Sequence, residues 1–258
     1  MKYALDGKTA LITGAAQGIG RETALRFAED GITRLILLDR DEAGLETLTI
    51  ALSEYGVDPV CCTADLASRE ELQKRLIAVL PSQGGLHILV NNAGVSDENE
   101  PDDPAAWDRI IGINLHGTFT ITLHCLSVLA PEGRIVNVAS ILGRAGKIRN
   151  TAYCASKHGL LGYTKALAMD LALRKITVNA ILPGWIDTPM LQQELAAQAA
   201  LMGADIKQVL RHAKKTIPLR RFVGAREAAD LIGFLVSDQA AGITAQSFTI
   251  DGGYTCGM

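Results

Sequence analysis

The sequence predicts an α/β domain, a doubly wound parallel sheet of about seven strands with helices on both faces. Two observations predict it. Short apolar runs of strand length alternate with longer helical patterns along the chain, and such an order demands crossover helices that cover both faces of a parallel sheet. The first apolar run also ends directly in a glycine-rich turn that opens a helix.

The elements follow in order. A strand at 9–13 (Thr-Ala-Leu-Ile-Thr) leads into a helix over 19–30, and a strand at 34–39 (Arg-Leu-Ile-Leu-Leu-Asp) into a helix over 41–55. A third strand at 58–63 precedes a helix over 68–80, and a fourth at 86–91 precedes a long helical pattern over 104–129. The fifth strand, 133–139, closes on Ser140 ahead of a helix over 153–173. The sixth strand runs over 176–182, the last helix over 225–236 and the seventh strand over 246–250. Thr13-Gly14, Asp39, Asp65, Asn91 and Ser140 fall at strand ends and converge on one rim, where sheets of this kind bind ligands. No repeat, low-complexity tract or linker divides the chain, so 1–258 is read as one domain.

Two motifs on that rim carry chemistry. Residues 9–20, Thr-Ala-Leu-Ile-Thr-Gly-Ala-Ala-Gln-Gly-Ile-Gly, place Gly14, Gly18 and Gly20 between a strand and a helix N-terminus. Backbone N–H groups and the helix dipole can there meet a pyrophosphate unobstructed by a Cβ. Asp39 ends the next strand 19 residues after Gly20, where an acid can bind an adenosine ribose. The second motif is Tyr153 and Lys157, with Ser140 thirteen residues upstream of the tyrosine. Residues four apart on a helix lie about 40° apart around its axis and share a face. Lowering a tyrosine pKa from about 10 to about 7 takes roughly 4 kcal/mol of preferential phenolate stabilisation. A close ammonium in a partly desolvated pocket can supply much of that, so a lowered Tyr153 pKa is expected.

With these motifs in place, the chain resembles the short-chain dehydrogenase/reductase family over residues 6 to about 254. Thr13 to Gly20 match its cofactor motif, and Asn91-Asn92-Ala93-Gly94 match its second marker. Asn114, Ser140, Tyr153 and Lys157 match all four members of its catalytic tetrad, and Pro183-Gly184 and Asp251-Gly252-Gly253 also fit. The resemblance implies a Rossmann-type sheet of strand order 3-2-1-4-5-6-7. It makes Tyr153 the general base in oxidation and the acid in reduction, with Lys157 lowering its pKa and holding the nicotinamide ribose. Ser140 would polarise the substrate oxygen, and Asn114 would hold a water that links the lysine to solvent. Implied cofactor contacts are Gly14, Gln17, Gly18, Ile19, Gly20, Asp39, Arg40, Asp65, Leu66, Asn91, Ala93, Gly94, Tyr153, Lys157, Pro183, Gly184, Ile186 and Thr188. The resemblance implies that Asp65 touches the adenine edge, with an N-cap for the helix over 68–80 as the alternative.

NAD is expected in preference to NADP. Asp39 can accept from both ribose hydroxyls, whereas a 2′-phosphate would bring a dianion against it. Arg40 is ambiguous, because consecutive strand residues point to opposite faces. Gln17, ahead of Gly18, is neutral where NADP users of the family are often basic.

The segment 187–217, rich in alanine and leucine, occupies the position of the family's substrate lid. Trp185, Met190, Leu191, Ile141 and Leu142 would line a largely apolar pocket around Ser140 and Tyr153, with Arg144 and Asn150 as its polar candidates. The acidic run Asp97 to Asp103 is either a solvated loop or an overhang of the site mouth that disfavours anions.

Composition agrees. At 258 residues and 27.5 kDa the chain can bury about three quarters of its unfolded surface in one core. A formal charge of −3 gives no reason to expect nucleic acid or an anionic membrane. Cys61, Cys62, Cys125, Cys154 and Cys256 form no metal-like pair, and their odd number suits a reducing cytosol. His87, His116, His124, His158 and His212 show no ligand spacing, so no metal is expected. No apolar run reaches bilayer length, and Lys2, Asp6 and Lys8 do not read as a signal peptide, so a cytoplasmic location is expected.

The expected function is an NAD-dependent secondary alcohol dehydrogenase or ketone reductase. The alternatives are an NADPH-dependent 3-oxoacyl reductase and, in a different class, a dinucleotide-sensing protein without turnover. A homotetramer is also expected. The helices over 104–129 and 153–173 carry Ile111, Ile113, Leu115, Phe119, Ile121, Leu123, Leu160, Leu161, Leu167 and Leu171 on more than one face, and related enzymes pair these two helices.

Overall fold

The structure is a computed structural model that describes residues 3–256; Lys2 lies outside them. Its strands are β1 (Thr9–Thr13), β2 (Arg34–Asp39), β3 (Asp58–Thr63), β4 (Leu86–Asn91), β5 (Leu129–Val138), β6 (Thr177–Pro183), β7 (Ile186–Asp187), β8 (Val223–Gly224) and β9 (Ser247–Ile250). Seven of them form one parallel sheet of order β3-β2-β1-β4-β5-β6-β9. This is the expected 3-2-1-4-5-6-7 order once β7 and β8, which pair only with each other, are set aside.

Side-chain alternation explains the two covering layers. Ala10, Ile12, Leu35, Leu37, Ile88 and Val90 share a core with α1 (Gly18–Glu29), α2 (Glu42–Leu52) and α9 (Ala225–Val236). Their strand neighbours Leu11, Ile36, Leu38 and Leu89 pack on the opposite face. There they meet α3 (Arg69–Val79), α5 (Thr118–Leu126) and α6 (Thr151–Leu171). Both faces are covered, which is why these strands read as continuous apolar runs. Phe27 of α1 is fully buried, a gain of about 1.5–3 kcal/mol for such a side chain. Arg26 Nη1 reaches Asp230 at 2.5 Å and Arg226 pairs with Glu29, clamping α1 to α9.

The expected helix over 104–129 is not continuous. It divides into α4 (Pro104–Ile111), a π-helical stretch at Gly112–Gly117, and α5, which ends at Leu126. Apolar periodicity carries across the break and so conceals it, while the widened turn aims Asn114 inward, as such bulges do at functional sites. β5 starts earlier than expected, at Leu129, because the segment from Ala130 to Gly133 is accommodated by a register shift between Leu86 and Ile88 of β4. The segment 187–217 folds as a hairpin of α7 (Pro189–Met202) and α8 (Ile206–Thr216), closed at its base by β7 and β8.

The apolar second face is also narrower than expected. Ile121, Leu160, Leu161, Leu167 and Leu171 are buried in the chain's own core. The outward apolar residues are Phe119 and Leu123, with Met169 and Leu173, which the sequence reading did not single out. Among the described residues no helix is long and apolar enough to cross a membrane, and no group of three or more His, Cys, Asp or Glu could hold a metal.

Candidate active site

The rim of the sheet holds a glycine cradle beside a buried polar cluster. Gly14 (φ 65°) and Gly18 (φ 56°) adopt the left-handed conformation that β1 needs to turn into α1. A Cβ on Gly14 would lie 2.8 Å from Asn92 Nδ2, and one on Gly20 would lie 2.0 Å from the Gly14 carbonyl oxygen. Gln17 gives the first turn of α1 no side-chain cap, so its N–H groups open onto the cradle. Asp39 stands at the edge, its Oδ2 accepting from Ala16 N at 3.0 Å and its Oδ1 from Asp41 N at 3.0 Å. Arg40 is exposed. A bare backbone, an uncapped helix start and a fixed carboxylate fit a dinucleotide, with the diphosphate over Gly14–Gly20 and a ribose at Asp39.

Tyr153 sits in the first turn of α6 with Lys157 one turn on, as their spacing predicts. Lys157 is buried; its Nζ donates to Val138 O at 2.9 Å and lies 5.6 Å from the Tyr153 ring centroid. Asn114 grips the segment after β4 from both sides. Its Oδ1 accepts from Val95 N at 2.8 Å, and its Nδ2 donates to Val95 O at 2.9 Å and to Ser156 Oγ at 3.2 Å. Gly94 lets these groups close up, for a Cβ there would stand 3.1 Å from Asn114 Oδ1 and 3.5 Å from Lys157 Nζ. Ser140 Oγ accepts from Leu142 N at 3.1 Å.

The electrostatics reverse one expectation. Burial pushes the Tyr153 hydroxyl up to about 12, and Ser140 and Ser96 beside it offset only part of that. Burial also brings Lys157 down to about 8. Desolvation disfavours both charged forms, and the ammonium, directed at Val138 O, does not overcome it for the phenol. The phenol is therefore held protonated. The lowered lysine gives a pH signature. Above about pH 8 the folded chain releases this proton while the unfolded chain keeps it, so stability rises with pH, by at most about 1.4 kcal/mol per unit. Denaturant unfolding at pH 7.5, 8.5 and 9.5 checks this, and Lys157→Met should remove that component of the slope.

Several candidates also make contacts within the chain. The Asn91 side chain points into the interior, donating to Thr122 Oγ1 at 3.1 Å and Asn137 Oδ1 at 2.9 Å, so it is not a side-chain contact on the rim. Asp65 does not cap α3; it accepts from Ala67 N at 2.9 Å in a local turn, and the N-cap position is Ser68. Leu66 packs in the core near Gly117, and Ile19, in the first turn of α1, packs against the core beneath it. Arg144 donates to Ser247 O on β9 at 3.2 Å, and the Asn150 amide is used locally on Ile148 O at 2.9 Å. Leu191 lies in the hairpin's own core with Leu195, Ala213, Ile217 and Phe222; Trp185 borders that core, and Met190 is exposed. Ile141 and Leu142 pack beside α6. Thr188 caps α7, and its methyl group stands where a Cβ on Gly18 would come within 3.2 Å. Pro183 ends β6, and Gly184 follows so close to Asp251 that a Cβ would fall 2.6 Å from the Asp251 Cβ.

Three residues with roles in the site escaped the sequence reading. Asn92 Nδ2 donates to Thr13 O at 3.0 Å and Gly14 O at 2.9 Å, locking the glycine turn to β4. Ser156 supports Asn114, and Ser96 flanks Tyr153. Only Asn92 carried a sequence signal, as part of the Asn-Asn-Ala-Gly marker.

Known proteins match nearly the full length of the chain. The family model described as enoyl-(acyl carrier protein) reductase matches residues 14–255. The 3-oxoacyl-(acyl-carrier-protein) reductase of Thermotoga maritima is 37% identical over 261 residues, covering 96% of this chain and 98% of its own. The D-beta-hydroxybutyrate dehydrogenase of Cupriavidus necator is 35% identical over 255 residues, covering 97% and 98%. Among solved structures, a single-substitution variant of actinorhodin polyketide ketoreductase with NADPH superposes with a TM-score of 0.90 at 34% identity, over 98% of this chain and 99% of that one.

Proposed function

Because the chain belongs to the short-chain dehydrogenase/reductase family, we propose that it reduces the ketone of a 3-oxoacyl substrate to a secondary alcohol with NADH. The observation that carries this reading is the cluster itself, with Ser140 beside the Tyr153 hydroxyl and Lys157 Nζ 5.6 Å from the Tyr153 ring centroid, a hydroxyl pair and an ammonium placed to polarise and protonate a ketone oxygen. The relatives point the same way, since the names of two of them specify a 3-oxoacyl or a β-hydroxy acid substrate. Compared with the general alcohol dehydrogenase expected from the sequence, this reading narrows the substrate to the class named in the relatives.

In this mechanism Ser140 donates a hydrogen bond to the ketone oxygen and Tyr153 transfers its proton there as negative charge develops. Lys157, anchored on Val138 O, keeps a titratable ammonium beside the tyrosine, and Asn114 holds the Val95 segment over both. The nicotinamide, when bound, supplies the hydride. The α7–α8 hairpin acts as the lid, tied to the loop before α6 by Lys147 Nζ on Glu194 Oε1 at 2.9 Å.

The cofactor preference rests on Asp39. Fixed by two backbone N–H groups, it cannot swing away from a 2′-phosphate. The actinorhodin relative was solved with NADPH, and turnover with each cofactor decides between them. With an acetoacetyl thioester, kcat/KM for NADH should exceed that for NADPH, and Asp39→Ala should cut the ratio at least about tenfold, the equivalent of 1.4 kcal/mol. A wild-type preference for NADPH, or an unchanged ratio in the variant, overturns the cofactor reading. Failure to reduce the thioester with either cofactor overturns the substrate reading.

A homotetramer is proposed with it. Phe119 and Leu123 on α5 are 49% and 51% exposed, and Met169 near the end of α6 and Leu173 just beyond it are 75% and 100% exposed, apolar surface that suits a second copy. Light scattering should return about four times 27.5 kDa; a mass near that of one chain refutes the assembly.

A further inference from the structure

Helix α8 carries charge that neither its folding nor the reaction above uses. From Gly203 to Arg221 the chain has six cations, Lys207, Arg211, Lys214, Lys215, Arg220 and Arg221, against the single carboxylate of Asp205. This segment is +5 in a chain whose formal charge is −3, so the remainder amounts to −8. Arg221 is paired with Glu227; among the described residues the other five have no carboxylate partner.

Those five cations and Leu210 surround a concavity of about 390 Å³. Its walls are Leu210 and aliphatic stems, while its rim is cationic. Lys214 Nζ lies 5.1 Å from the Phe222 ring centroid, and Phe222 stacks on Trp185 at 6.4 Å. One aromatic layer therefore separates the concavity from Trp185, the residue that leads into the lid.

Helix stability accounts for part of the charge only. Lys214 and Lys215, in the last turn, favour the helix dipole, but Lys207 stands in the first turn after the Asp205 cap, where a cation opposes it. Lys207, Arg211 and Lys215 also follow one another at four-residue spacing, so like charges repel along one face. An anion seated among them removes both penalties.

We infer that this concavity receives the phosphorylated adenosine end of coenzyme A, so that the substrate arrives as a coenzyme A thioester whose acyl arm runs under the lid towards Ser140 and Tyr153. This rests on the 3-oxoacyl reading above. The ligand matches in two respects: a flat base meets the aliphatic walls, and several phosphate charges meet the rim. A folded carrier protein would instead bury about 800 Å² on each partner.

The test compares two substrates on the full chain, acetoacetyl-coenzyme A and acetoacetyl-N-acetylcysteamine, which share the thioester but not the phosphates. In the wild type, KM for the coenzyme A substrate should be at least tenfold lower and should rise with salt. The double variant Lys207→Glu/Arg211→Glu should raise that KM at least tenfold more than it raises KM for the short thioester. Both substitutions are on the exposed face, and Glu at position 207 suits the helix start, so folding should survive. Equal KM values for the two thioesters in the wild type, or an unchanged coenzyme A KM in the variant, overturn the proposal. So does a variant whose loss appears only with a carrier-protein thioester. If neither thioester is reduced, the reaction reading has failed, and calorimetric titration with coenzyme A itself decides the site. Binding that the double variant abolishes upholds it, and no binding by the wild type overturns it.

Discussion

Tyr153→Phe should lower turnover by about 10²–10⁴-fold, the usual contribution of a positioned acid or base, with NADH affinity nearly unchanged. The substitution removes the proton donor and keeps the ring, so the packing of the first turn of α6 persists. Lys157 cannot take over, because its Nζ is committed to Val138 O and stands 5.6 Å from the ring centroid. Single-turnover measurement of the hydride step, with cofactor titration in parallel, separates the two effects. Turnover within a few fold of wild type would remove Tyr153 from the chemistry.

Gly20→Ala should abolish cofactor binding. Its Cβ would fall 2.0 Å from the Gly14 carbonyl oxygen and 2.7 Å from Asn92 Nδ2, and these two atoms are hydrogen-bonded to each other at 2.9 Å. Relief requires moving backbone, not the end of a flexible side chain. Overpacking of this kind typically costs about 1–3 kcal/mol and occasionally more, and here the displaced atoms are the cradle itself. The dissociation constant for NADH should rise at least about 100-fold, the equivalent of 2.7 kcal/mol, and the melting temperature should fall. Fluorescence titration and thermal unfolding check this; unchanged binding would show that the cradle does not hold the dinucleotide.

Sheet order and covering layers were legible because each strand's alternating residues pack on opposite faces, as Leu35 and Ile36 do, and leave a continuous apolar run. The catalytic cluster was legible because helical spacing alone puts Lys157 one turn beyond Tyr153. What could not be read depended on distant contacts. The π-helical break at Gly112–Gly117 leaves apolar periodicity intact, so only the bonds of Asn114 to Val95 reveal its purpose. Arg144 looked free to meet substrate until β9 supplied a carbonyl, and Leu191 looked like pocket wall until α8 folded over it. The direction of the Tyr153 shift was missed for a related reason. Proximity to an ammonium shows in spacing, but depth of burial does not, and burial dominates.

The hydrogen bonds around the glycine turn also bear on entropy. Thr13 Oγ1 accepts from Asn92 N and Ala93 N at 3.0 Å each, Asn92 Nδ2 holds two carbonyls, and Asp39 holds Ala16 N. A loose loop would surrender about 1–2 kcal/mol of backbone freedom for each residue ordered on binding. Here that freedom is given up when the chain folds, so the dinucleotide meets a preorganised surface and its contacts appear almost undiminished as affinity. Fold and cofactor are thereby linked: a ligand that binds only the ordered turn must also stabilise the folded chain.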